Sequence, residues 1–277
     1  MSRPPHQWES PDEHGHMSTG RVSTGRAGAG PASTGPASTG TGSTGPGSTG
    51  APASAVLRER GAASWAAAVS HPMVAEIGAG SLPHETFRYY FEQNVLYLED
   101  YARATALIIG RAPDLAAVTV LTRFLGQIVD TELPANYAFL ARLGGPSAPG
   151  GPGRPDPPAA MAPTTYAYTR HLLDTAGRHD LPAGLAAVLP CQWSYGELAT
   201  RLAKALPADP VYADWIGMFA GDGYDELVQA STALLDQHAD AADEALMTTL
   251  AGVFDRSTRY ELAFWDMAFA GPGGQSG

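Results

Sequence analysis

Between Pro83 and Pro113 the chain reads HETFRYYFEQNVLYLEDYARATALIIGRA, with no proline to interrupt a helix. Phe87, Tyr90, Phe91, Asn94, Tyr97, Leu98 and Tyr101 recur in it at spacings of three and four, which places them on one stripe of that helix. Ser81 is positioned to cap it, with Pro83 in the first turn. The stripe is aromatic, so it faces a core, and a single amide, Asn94, is set in its middle.

The same period continues through the chain. Further helices are expected at about 114–143, 164–176, 182–205, 209–220, 223–238 and 240–270, the first of them kinked at Pro134. No stretch alternates convincingly at period two, so the expected class is an all-α, bundle-like domain. Two segments fall outside this pattern. Residues 1–54, with their repeated STG, have almost no aliphatic or aromatic side chains to offset the entropy of ordering, and read as a disordered tail. Residues 144–162, GGPSAPGGPGRPDPPAAMA, read as a Gly/Pro-rich surface loop within a domain spanning 55–271, and 272–277 as a flexible end.

Charge and cysteine content narrow the function. With 17 Lys plus Arg against 28 Asp plus Glu the net charge is -11, which disfavours nucleic acid and anionic membrane as partners. No apolar run reaches the roughly 18 residues of a membrane span. A single cysteine forms no intramolecular disulfide, and MSRPPHQWESPDEHGHM has no secretory apolar core; a soluble, cytoplasmic protein is expected.

That cysteine, Cys191, follows Pro190 inside LPAGLAAVLPCQWSYGELATRL, where a helix should bend. Free cysteine is usually a buried space-filler, and composition by itself favours that role. Other polar residues on apolar faces keep a catalytic role open. In TRYELAFWDMAFA, Glu261 shares a helix side with Tyr260, Phe264, Trp265 and Phe269. A carboxyl desolvated there has a raised pKa, whereas a Glu that reaches solvent does not. Asn94 needs a hydrogen-bond partner, either backbone or ligand.

Five ordered stretches, HPMVAEIGAGSLPHETFRYYFEQNVLYLEDYA, PTTYAYTRHL, LPCQWSYGEL, VYADWIGMFAGDGY and YELAFWDMA, resemble the TenA, or thiaminase II, family of the heme-oxygenase-like helical fold. The resemblance implies a homotetramer whose pockets bind a 4-amino-5-substituted-methyl pyrimidine. It assigns Cys191 as the nucleophile that adds to the ring and Glu261 as the acid that holds and protonates a ring nitrogen. Tyr97, Tyr168 and Phe264 line the ring, and Tyr195 orients groups one helical turn from the thiol. No metal or organic cofactor is implied.

Two positions depart from the family pattern. Asn94 stands where the family has Asp, keeping an acceptor for the exocyclic amine and a donor for the ring while losing the charge. Phe219 stands where the family has Tyr, keeping shape and losing a hydroxyl. The expected function is hydrolysis at the exocyclic methylene of an aminopyrimidine, in thiamin degradation or salvage. The alternatives are an enzyme retuned to another heteroaromatic molecule and a non-catalytic pyrimidine-binding regulator. A di-iron oxygenase, with Glu132 and His171 among its ligands, comes last because such candidates are too few.

Overall fold

The computed structural model describes residues 50–144 and 160–272. The expectations for a disordered tail, for most of the Gly/Pro-rich loop and for the last residues lie outside this range. Among the described residues there are eleven α-helices, one π-helical turn and no strand. The helices are α1 (Ala53–Arg60), α2 (Ala62–Val69), α3 (Pro72–Ala79), α4 (His84–Ile109), α5 (Leu115–Gly126) and α6 (Leu133–Arg142), then α7 (Pro163–Arg178), α8 (Leu181–Leu202), α9 (Pro210–Phe219), α10 (Asp222–Ala239) and α11 (Glu244–Ala270).

Local chemistry sets most of the boundaries. Asp114, Asp180, Asp209 and Asp243 each cap a helix by accepting a backbone N–H from Ala117, Ala183, Val211 and Leu246. Pro163 and Pro210 occupy first helical positions, where their missing N–H costs nothing. The start of α4 differs from expectation: Pro83, not Ser81, is the N-cap, and no side chain caps it. The backbone N–H of Ser81 instead donates to the Glu76 carbonyl at 3.0 Å, closing the end of α3. Gly80 makes that turn with φ of 68°, a left-handed conformation that an L side chain resists.

The kink expected at Pro134 is a change of winding. Gln127–Glu132 forms a π-helical turn between α5 and α6, with Pro134 in the first turn of α6. Proline cannot donate to the carbonyl four residues back, and wider winding before it removes that demand. At Pro190, by contrast, α8 runs unbroken.

α4, α7, α8 and α11 pack against one another around the interior, with α9 and α10 against α8 and the α5–α6 arm against α4. Every residue of α8 from Leu181 to Gln192 is buried, as befits a helix that is apolar on all sides. Gly184 permits its close approach to α4: a Cβ there would sit 2.8 Å from Ile108 Cγ1. Trp65, Trp215 and Trp265 are fully buried and anchor α2, α9 and α11. None of the described helices is long and apolar enough to cross a membrane.

Candidate active site

Polar side chains on α8 begin where its apolar run ends. Cys191 and Tyr195 are four residues apart and share a face of the helix; both are buried. One turn before the thiol, the Tyr101 hydroxyl of α4 donates to the Val188 carbonyl at 2.8 Å and pins the two helices together. From α11, Glu261 and Phe264 come in from the other side, and Glu261 is only 3% exposed. The sequence could not decide whether this Glu reaches solvent; the fold encloses it. Phe269 belongs elsewhere, being 38% exposed and edge-on to His71.

Two small cavities meet at Cys191. One is lined by Asn94, Tyr97, Tyr168, Cys191, Tyr195, Glu261 and Phe264. The other is lined by Asn94, Leu98, Tyr101, Phe124, Glu132, Cys191, Gln192, Tyr195, Phe219 and Tyr224. Asn94, Cys191 and Tyr195 are common to both, so they form the partition. Each cavity gives the centre of a water molecule ≈ 10 Å³ to move in, about the room for one water. A larger groove of ≈ 680 Å³ beside Ala53, Arg60, Asp236 and Met247 is half open to solvent and contains none of these groups.

In the first cavity the Tyr168 hydroxyl donates to Glu261 Oε1 at 2.6 Å. The Tyr168 ring stacks on Tyr260 and lies 5.0 Å from Tyr97, which in turn lies 5.8 Å from Phe264. Burial pushes the Glu261 carboxyl up to about 7, against the hydrogen bonds from Tyr168 and Cys191 that favour its charged form. The Cys191 thiol is pushed well above the usual value, first by burial and then by the charges of Glu261 and Glu132. Tyr97 and Tyr101 act the other way as donors to the sulfur. The Tyr101 proton is committed to Val188, and the buried Tyr97 hydroxyl has no formed hydrogen-bond partner among the described residues. At neutral pH Cys191 is therefore a thiol.

The partition is held by a chain of amides. Asn94 Nδ2 donates to Asn136 Oδ1 at 2.9 Å, and Asn136 Nδ2 donates to the Glu132 carbonyl at 2.7 Å. A carbonyl only accepts, so both amides are fixed in orientation, with Asn94 Oδ1 left over. One Asn94 hydrogen is thus already committed, which narrows the expected two-point match to the carbonyl and a single remaining hydrogen. Tyr195 shares a hydrogen bond with Tyr90 at 2.9 Å, and Tyr90 stacks on Trp265. Phe219 packs edge-on against Tyr195 and Tyr224 and belongs to the second cavity.

All eight residues proposed from the sequence line one cavity or the other. The second cavity also has residues that sequence reasoning did not place in a pyrimidine site: Tyr101, Gln192, Tyr224 and, most of all, Glu132, which it weighed only as a metal ligand. Their signals were weak: a stripe tyrosine, a neighbour of the cysteine, and an acid just ahead of an in-helix proline. Glu132 and His171, weighed above as metal ligands, are not together. Only Glu132 lines the cavity, while His171 Nε2 pairs with Ser257 Oγ at 3.0 Å. No cluster of three or more His, Cys, Asp or Glu that could hold a metal occurs among the described residues.

Fold and site together define an all-helical protein of the heme-oxygenase-like type, with a buried thiol between two buried carboxyls in an aromatic enclosure. The fold is shared with a solved heme-oxygenase-like domain from Shewanella denitrificans at TM-score 0.59 and 15% identity, covering 79% of this chain and 95% of that one. The chain belongs to the TENA/THI-4/PQQC family, whose model matches residues 59–270. The aminopyrimidine aminohydrolase of Halalkalibacterium halodurans is 35% identical over 221 residues, covering 78% of this chain and 95% of that protein. A solved TenA family transcription regulator from Silicibacter superposes with TM-score 0.71 at 25% identity, covering 79% of this chain and 97% of that one.

Proposed function

We propose that the protein is an aminopyrimidine aminohydrolase of the thiaminase II type, replacing the leaving group on the exocyclic methylene of a substituted 4-aminopyrimidine by water. The observation that carries this reading is the meeting of Cys191 and Glu261 across one aromatic-walled cavity, in a chain 35% identical to an aminohydrolase over most of its length.

The ring lies among Tyr97, Tyr168 and Phe264, whose faces suit a flat heterocycle. A ring is larger than the space of about one water, so these walls part on binding. Asn94 Oδ1 accepts from the exocyclic amine. Glu261, poised near neutrality, gives its proton to a ring nitrogen and makes the adjacent carbon electrophilic. As a carboxylate it then takes the Cys191 proton, so the thiolate forms only as it attacks. The S–C bond forms and the leaving group departs with its electron pair. Water then adds to the exocyclic methylene, and the sulfur is expelled as the ring nitrogen returns its proton.

The test is incubation with thiamin and with 4-amino-5-aminomethyl-2-methylpyrimidine. Hydroxymethyl pyrimidine is expected from at least one of them and none from Cys191→Ala. If neither reacts while the pyrimidine still binds, the protein is a binder rather than a hydrolase. The same proposal takes residues 55–271 as the catalytic unit, assembled as a homotetramer in the cytoplasm, an assembly that light scattering measures directly. Asn94 and Phe219 favour a second reading within the same chemistry, a site retuned toward another heteroaromatic substrate. A turnover screen in which a different heterocycle exceeds both pyrimidines in kcat/KM would establish it.

A further inference from the structure

Glu132 has no part in the steps above, yet it is 7% exposed and shares its cavity with the nucleophile. It closes a π-helical turn, a winding that recurs at functional sites because it re-aims a side chain out of α-helical register. Its polar neighbour is Gln127, and no cation acts on it, so it is not held as half of an ion pair. Beside it, Gln192 has both Nε2 and Oε1 buried with no hydrogen-bond partner among the described residues. A buried amide left wholly unpaired loses its water without regaining a partner for either donor or acceptor, which points to a polar occupant of this cavity.

The size of that occupant is set by the space, about one water. Asn94, Cys191 and Tyr195 line both cavities, so a ring held against Glu261 and attacked by Cys191 stands next to the Glu132 cavity. Ammonia and water are each a single heavy atom and fit it in turn.

We infer that Glu132 is a second catalytic acid, which protonates the departing amine nitrogen and is then reprotonated by the incoming water, with the Gln192 amide holding both small molecules in place. This rests on the aminohydrolase reading. The bookkeeping of atoms closes. The methylene C–N bond breaks, nitrogen keeps the electron pair and takes the Glu132 proton, and NH3 departs from a Glu132 carboxylate. Water forms the new C–O bond and gives one proton to Glu132, which ends as it began. If the amine enters as an ammonium beside the carboxylate, the same single proton is shared between them and the outcome is unchanged.

The surroundings suit the role. Burial pushes the Glu132 carboxyl up to about 8, so it carries its proton at neutral pH. The titratable groups lining its cavity are Tyr101 from α4, Cys191 and Tyr195 from α8 and Tyr224 from α10, all shifted toward their neutral forms by burial. None supplies a competing charge.

Glu132→Gln is the test, because it keeps shape and the uncharged state while removing the acid. On the aminomethyl pyrimidine kcat should fall by about 10²-fold or more, the ordinary contribution of a general acid. Binding of 4-amino-2,5-dimethylpyrimidine, which has no leaving group, should change less than about threefold on the same scale of reasoning. The wild-type kcat should decline as pH rises through about 8, and this limb should be missing from the variant. Glu132→Asp, which restores an acid, should recover part of kcat together with the limb, and it serves if the Gln variant does not fold. Equal losses in kcat and in dimethylpyrimidine binding, or a kcat within about threefold of wild type, would overturn the role for Glu132 and leave the aminohydrolase reading standing. A wild-type protein inert toward every aminopyrimidine would overturn both.

Discussion

The two carboxyls that flank Cys191 are built in opposite ways. Glu261 sits on a regular α-helix, among stacked rings, and accepts a 2.6 Å hydrogen bond from Tyr168. Glu132 sits on a π-helical turn with an amide as its polar neighbour and no such strong donor. Burial raises both, yet Glu261 stops at about 7 and Glu132 reaches about 8. The difference follows the donors: a hydrogen bond to the carboxylate form offsets part of the desolvation cost. One acid is thus set near neutrality, where it can both give and take a proton, and the other is kept protonated until a base arrives. Tyr168 and Cys191 donate to Glu261, where Gln127 alone donates to Glu132.

Several experiments break or sharpen the contrast. Cys191→Ala removes the proposed nucleophile, and aminopyrimidine turnover should fall by about 10⁴-fold or more, measured as hydroxymethyl pyrimidine released. Glu261→Gln leaves the thiol but neither protonates the ring nor accepts its proton, and kcat should fall by about 10³-fold, with the stack of Tyr97, Tyr168 and Phe264 intact by near-ultraviolet dichroism.

Stability separates the two acids without any substrate. Each has a folded-state pKa raised above the ordinary 4.5, so the folded protein holds more protons than the unfolded one between those values. Stability is therefore fully present below about 4.5 and falls as pH rises, at about 1.4 kcal/mol per pH unit for each group still titrating. The Glu261 share ends near 7 and the Glu132 share near 8, leaving Glu132 as the main contributor of the two in that last interval. Urea unfolding of wild type at pH 7 and 8 should show the fall, and Glu132→Gln should flatten it. An equal slope in the variant would mean that Glu132 is not the group losing its proton there.

Tyr168→Phe is the mildest change. It deletes the donor that distinguishes Glu261 from Glu132, so the Glu261 carboxyl should rise from about 7 toward its partner's value. The pH profile of kcat/KM should move upward with it, at a loss of roughly tenfold in rate at neutral pH. An unshifted profile would mean that another group sets the Glu261 pKa.

Much of the fold was legible in particular residues. The stripe from Phe87 to Tyr101 predicts α4, and its members are buried along one side. Prolines and aspartates at helix starts mark α8, α9 and α11 to within a few residues, because caps act locally. The short α1–α3 were read only as helical sequence. The start of α4 differs in detail from the reading, since Ser81, expected to cap it, is taken up by the left-handed turn at Gly80 that ends α3. For the candidate site, residue types and the family resemblance named Cys191, Glu261 and their aromatic walls. Glu132 was weighed only as a metal ligand, on a helix expected across 114–143 with a kink at Pro134. A π-helical turn takes in an additional residue and rotates the following side chains relative to α-helical phase, so periodicity counted straight through it misplaces the acid.

By itself, then, the sequence determined the helices, the aromatic surfaces that must be covered and the presence of one thiol, since propensity, capping and period act over a few neighbours. Only the tertiary structure decided that Cys191 lies between one small cavity with Glu261 and another with Glu132, three residues from three separate elements, and which amide faces which. The reason is physical: a side chain's solvation and hydrogen-bond partners depend on residues far away in the chain, and those alone set whether an acid is a solvated charge or a stored proton.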